Sequence, residues 1–122
     1  VKVWGTGKVK RELMYVDDMA DASIFLMQLS KKMINLRNNN IRQSHINIGS
    51  GHEVTILQLA NKIAKIIGYN GKIVFDKSYP DGTPRKRLNI KKIKSLGWES
   101  QKNLDNGLKD TYSWFLKSNY CK

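Results

Sequence analysis

Three cations stand in a row at Arg85-Lys86-Arg87, directly after Tyr79-Pro80-Asp81-Gly82-Thr83-Pro84. Guanidinium and ammonium groups on a proline-stiffened segment suit a phosphorylated ligand, the guanidinium as a two-pronged donor and the ammonium as a point charge. A solvated basic turn is the competing reading. Arg11, between Lys10 and Glu12, either forks onto a phosphate or pairs with a surface carboxylate such as Glu12. Trp4, just before Gly5-Thr6-Gly7, either stacks on a base or sugar ring or fills the core. One charge-assisted contact contributes about 1.5–3 kcal/mol, so two or three converging cations would anchor a pyrophosphate. No residue set offers a nucleophile or an acid–base pair, because His45 and His52 have no evident partner. Gly5-Thr6-Gly7 and Gly49-Ser50-Gly51 lack the strand–GxGxxG–helix context of dinucleotide binding and read as tight turns. The residues by themselves support binding rather than chemistry.

The elements that position these groups alternate between strand and helix, an α/β pattern. Val1–Trp4 and Lys10–Val16 read as extended segments. Asp17 is expected to cap a helix running to about Asn35, with Asp18 favourable in its first turn. The apolar residues of that helix cover more than half its circumference, so it is expected to be buried on more than one side. Leu36–Gln43 reads as a polar loop and His45–Ile48 as a short strand. Thr55 caps a helix over Ile56–Ile67, with Leu59, Ile63, Ile66 and Ile67 as its stripe and Gly68 as its stop. Lys72–Phe75 reads as a strand, followed by a surface loop over Asp76–Arg87 that holds both prolines of the chain. Asn89 caps a helix over Ile90–Leu96, and Leu104, Leu108, Tyr112 and Phe115 set a last helix ending near Asn119.

The chain has 122 residues, one domain's worth, and a formal net charge of +12. That charge invites a nucleic-acid reading. Of the 22 basic residues 17 are scattered lysines, and no aromatic-basic stripe accompanies them, so no nucleic-acid partner is expected. The single cysteine, Cys121, rules out an internal disulfide and a Cys-pair metal site. No apolar run reaches membrane-spanning length and no signal peptide is visible, so no membrane is expected and the cytoplasm is the default. The chain opens on Val1-Lys2-Val3-Trp4 without an initiating methionine, which reads as a piece whose upstream part lies elsewhere.

Val3-Trp4-Gly5-Thr6-Gly7 with Arg11-Glu12-Leu13-Met14-Tyr15-Val16-Asp17-Asp18-Met19-Ala20 resembles the extended short-chain dehydrogenase/reductase family of nucleotide-sugar enzymes. Pro80-Asp81-Gly82-Thr83-Pro84-Arg85-Lys86, Ser44–Gly51, Leu96-Gly97-Trp98 and Thr111–Phe115 narrow the resemblance to members that epimerise and reduce a GDP-bound keto sugar. Members acting on UDP- or dTDP-sugars remain the alternative. The resemblance implies that residues 1–122 are a C-terminal nucleotide-sugar-binding region. It places an NADP(H)-binding Rossmann domain, with the catalytic Tyr-x-x-x-Lys, outside the chain. It implies that Trp4, Arg11, Asp81 and Lys86 contact the GDP-sugar, with Arg11 and Lys86 facing the diphosphate. It further implies a homodimeric enzyme and a catalytically inactive isolated region. The long helix and the His45–Ile48 segment would then pack on the Rossmann domain, leaving an apolar face exposed on this chain alone.

Overall fold

A computed structural model describes residues 1–34, 37–38, 41–42 and 45–118. The asparagine pair at 39–40, the expected helix ends at Asn35 and Asn119, and Cys121 lie outside them. In chain order the elements are β1 (Lys2–Trp4), β2 (Lys10–Glu12), α1 (Val16–Gln28), α2 (Lys31–Ile34), β3 (Arg37–Asn38) and β4 (Ile41–Arg42). They continue with β5 (Glu53–Thr55), α3 (Ile56–Ile67), β6 (Val74–Asp76), β7 (Arg85–Lys86), α4 (Lys91–Ser95) and α5 (Leu104–Lys117). The α/β reading holds. β1 pairs with β6 in parallel, with Trp4 opposite Asp76. β2 is the centre of a three-stranded sheet, antiparallel to β5 and parallel to β7. β3 and β4 pair antiparallel.

Several elements depart from the sequence reading. The second extended segment stops at Glu12 rather than Val16, and α1 starts at Val16 with Tyr15 in the cap position. Asp17 is therefore inside the first turn rather than the cap. The long helix breaks at Leu29, which turns extended (φ −74, ψ 141). Ser30 then starts α2, its hydroxyl accepting from the Met33 N–H at 3.3 Å. Serine competes for the backbone in this way, which periodicity does not register. Within the expected polar loop, β3 and β4 are strands. His45–Ile48 forms no strand; Ile46 and Ile48 instead pack on the core as irregular chain.

The core is small: Ala22, Ile90, Ile93 and Trp98 are buried, with Met14, Phe25, Leu26, Ile46 and Ile48 packed around them. Two carboxylates of α1 lock the segment after α4 onto it. Asp18, buried, accepts from Ser100 Oγ at 2.5 Å and the Lys102 N–H at 2.9 Å. Asp21 accepts from Trp98 Nε1 at 2.7 Å. The opposite face of α1 carries Val16, Met19, Ile24 and Met27, all exposed, Met27 at 85%. These positions recur at helical spacing, so they form one apolar stripe. The exposed apolar face expected of the long helix is present, whereas Ile46 and Ile48, expected on the same face, pack on this chain's own core.

α3 begins with a reciprocal cap. Gln58 N–H donates to Thr55 Oγ1 at 3.1 Å, and Thr55 N–H to Gln58 Oε1 at 2.9 Å. It stops at Gly68 in the left-handed region (φ +69). α3 packs against α5, pinned at the rim by Lys62 and Asp105.

Candidate functional site

The segment over 77–84 links β6 to β7, two strands that belong to different sheets. It is exposed throughout, as a proline-containing surface loop should be. Among the contacts that fix it, three involve a residue that the sequence singled out. Asp81 accepts from the Thr6 N–H at 2.8 Å and from Thr6 Oγ1 at 2.5 Å. Arg11 Nη1 donates to Thr83 O at 2.8 Å and to Lys10 O at 2.7 Å. Trp4 stacks on Tyr79, with ring centroids 4.4 Å apart and planes 11° apart.

This geometry removes one alternative for each of two residues. Trp4 is 67% exposed and is not a core residue. Arg11 does not pair with Glu12. The Glu12 carboxylate instead accepts from the Gly51 and Leu88 N–H groups at 2.7 and 2.8 Å, tying the chain on either side of the sheet.

The basic triplet is split. Arg85-Lys86 is strand rather than loop, and successive side chains of a strand point to opposite faces. Lys86 stands in register with Arg11 on β2, so these two cations share a face. Arg85 is on the other face and is held by Glu53 on β5, through Nε at 2.6 Å and Nη2 at 2.5 Å. Arg87 Nη1 lies 3.8 Å from the same carboxylate, and its Nη2 donates to Gly51 O at 3.2 Å. Arg85 and Arg87 therefore do not converge with Lys86 on one anion. They line a separate open cavity of about 610 Å³ with His52, Lys91 and Lys94. Two carboxylates outside its lining offset these cations: Glu53 pairs with both arginines, and Glu99 pairs with Lys94 at 3.0 Å.

Electrostatics follow the same contacts. The Thr6 hydroxyl and then the Thr6 amide hold the Asp81 carboxyl below its usual range. The Arg85 hydrogen bond does the same for Glu53, with Arg87 and Lys10 adding to it. Each group is thus charged at neutral pH.

The two glycine turns are filled by protein. A Cβ on Gly5 would stand 2.3 Å from Asp81 Oδ1, and one on Gly49 would stand 2.5 Å from Glu12 Oε1. A carboxylate occupies the hollow of each turn, so neither suits a dinucleotide's diphosphate. Among the described residues no group of histidines, cysteines and carboxylates could hold a metal ion. Among them no helix is long and apolar enough to cross a membrane.

Comparison with known proteins adds the ancestry. The NAD dependent epimerase/dehydratase family model matches residues 1–49. The GDP-L-fucose synthase of Escherichia coli (strain K12) is 49% identical over 118 residues, 97% of this chain and 36% of that protein. The chain is homologous to the C-terminal third of these enzymes. A GDP-6-OMe-4-keto-L-xylo-heptose reductase from C. jejuni has the same fold over 98% of the chain and 34% of its own length, at 40% identity and TM-score 0.87. The GDP-mannoheptose C4 reductase from Campylobacter jejuni, solved with NADP bound, matches over 95% and 34% at 39% identity and TM-score 0.79. The chain thus spans about a third of the length of the proteins it matches, and over that third it shares the fold of the two reductases.

Of the four expected contact residues, Asp81 is on the loop, Lys86 on β7 at its end, Arg11 on β2 beside β7, and Trp4 is stacked on the loop's Tyr79. Tyr79, Thr6 and Glu53 are the residues that sequence reasoning missed. Threonine in a glycine turn facing an Asp-Gly loop was the available signal for Thr6. Nothing local marked Tyr79 or Glu53, whose roles depend on pairing across 75 and 32 residues of chain.

Proposed function

We propose that this chain forms the sugar-nucleotide-binding part of a GDP-L-fucose synthase. Such an enzyme converts GDP-4-keto-6-deoxy-D-mannose to GDP-L-fucose by 3,5-epimerisation and NADPH-dependent 4-reduction. The observation that carries the reading is the register of Arg11 with Lys86. Two cations on one sheet face, one of them tethered to a loop carbonyl, suit the two phosphates of a nucleotide sugar. Trp4 supplies an open aromatic face for a ring of the ligand. Asp81 contributes by holding the loop on Thr6, since both of its oxygens are engaged there.

The rest of the enzyme lies on the two thirds of the relatives that this chain does not span. That part would hold the Rossmann domain with NADP(H) and the Tyr-x-x-x-Lys. When bound, the cofactor supplies the hydride; this chain's residues bind and orient the sugar nucleotide. The exposed stripe Val16, Met19, Ile24 and Met27 is the surface we assign to that domain. The intact enzyme is then a cytoplasmic homodimer, and residues 1–122 alone are inactive. The heptose reductases favour a second reading, in which the substrate is another GDP-bound keto sugar. A competition experiment tests the shared part. GDP is expected to protect the protein expressed from its complete reading frame against proteolysis of the 77–84 loop better than UDP. Equal protection by UDP would move the assignment to UDP- or dTDP-sugar enzymes.

A further inference from the structure

The stack between Trp4 and Tyr79 is built by the ends of two paired strands. Trp4 and Asp76 are opposite one another where β1 and β6 finish. The Asp76 carbonyl accepts from the Gly5 N–H at 2.9 Å and the Tyr79 N–H at 3.4 Å. The Asp76 carboxylate accepts from Ser78 N–H at 3.0 Å and Ser78 Oγ at 2.6 Å, and lies 3.4 Å from Lys2 Nζ. The chain is thereby folded back over the strand end, and Tyr79 is laid flat on the indole. Local hydrogen bonding by an aspartate of this kind fixes a turn without help from the core.

Tyr79 covers one face of Trp4 only. The indole remains 67% exposed with the tyrosine in place, and Tyr79 itself is 43% exposed. A tryptophan at an exposed strand end is otherwise free to change rotamer. Here a parallel partner at 4.4 Å holds its plane, and leaves the far face open at the carboxyl end of two parallel strands. Ligands of α/β sheets bind at that end.

We propose that Tyr79 is a positioning residue: it sets the plane of the Trp4 indole so that a ring of the bound sugar nucleotide completes a three-layer stack. This rests on the reading that Arg11 and Lys86 hold the diphosphate. The ring is either the nucleobase or the C–H face of the sugar.

The test is calorimetric titration of the protein expressed from its complete reading frame, with GDP, GDP-mannose and inorganic pyrophosphate as probes. Tyr79→Leu is expected to weaken GDP, or GDP-mannose alone, by about 2–12-fold, the affinity equivalent of one aromatic pair. Loss with both GDP and GDP-mannose assigns the base to the stack, and loss with GDP-mannose alone assigns the sugar. Pyrophosphate affinity stays unchanged, because the cations are intact, and Tyr79→Phe restores binding. Equal weakening of pyrophosphate overturns the proposal, since it would show general loosening of the loop. So does unchanged binding of both nucleotides in Tyr79→Leu. Trp4→Leu separates the two levels. If it binds GDP and GDP-mannose like the parent, the site reading itself fails; if it weakens either while Tyr79→Leu does not, only the role of Tyr79 fails.

Discussion

Removing Arg11 is the perturbation with the most to say about the site. One guanidinium nitrogen is spent on the carbonyls of Lys10 and Thr83. A guanidinium has five N–H donors in a fixed fork, so the remaining ones are available to a ligand. Lys86 stands in register on the neighbouring strand, about 4.8 Å away along the sheet. A diphosphate bridging the two would receive a charge-assisted contact from each, about 1.5–3 kcal/mol apiece. Arg11→Ala and Lys86→Ala should each lower GDP affinity by about one to two tenfold steps. Both groups would grip the same anion, so the double variant should lose less than the sum of the two. Arg11→Lys should fall between, since an ammonium cannot hold Thr83 and a phosphate with the same planar fork. The assay is calorimetric titration with GDP, alongside amide hydrogen exchange at Asp81, Gly82 and Thr83 to follow the loop. An unchanged dissociation constant in both single variants would refute the reasoning.

Other consequences concern the scaffold. Asp18→Ala leaves the Lys102 N–H and Ser100 hydroxyl without their acceptor in a part-buried position. It should cost about 1.5–3 kcal/mol in denaturant unfolding, against a change near zero for the exposed Asp17→Ala. Gly5→Ala forces a left-handed backbone (φ +82) on an L-residue and drives a Cβ at Asp81 Oδ1. The backbone term alone is about 1–2 kcal/mol, and hydrogen exchange at Thr6 should rise with it. The Asp81 carboxyl is depressed in the folded chain, so its contribution is present above the unfolded value near pH 3.9 and disappears as pH falls through the lower native value. The Thr6 amide resonance should hold its position on acidification from pH 7 to about 4 and move only below that. In Asp81→Asn the same resonance should start displaced and not titrate.

How much of this was readable beforehand depends on the range of the interaction. α3 was legible almost to the residue, because its cap and stripe are local, and α5 was legible from its stripe, although its Asn103 cap was not read. The β6 strand and the loop after it were legible from apolar residues followed by two prolines. β5 and β7 were not: each is two or three residues long, and only pairing with β2 makes it a strand. That pairing also split Arg85 from Lys86, which a linear reading had grouped. The Asp17 cap failed for a related reason. α1 begins one residue earlier than Asp17, and its neighbour Asp18 is held by Ser100 and Lys102, which lie more than 80 residues along the chain. Trp4 and Arg11 were recognisable as candidates by type, but their contacts with Tyr79 and Thr83 were not, since each spans more than 70 residues.

The central claim is that Trp4, Arg11 and Lys86 serve one ligand. Chemical-shift mapping with GDP addresses it most directly. The largest changes should fall on the Trp4 indole N–H, the Arg11 side chain and the amides of Thr83, Arg85 and Lys86. Changes confined to the cavity of Arg87, Lys91 and Lys94, or absent at saturating GDP, would contradict it.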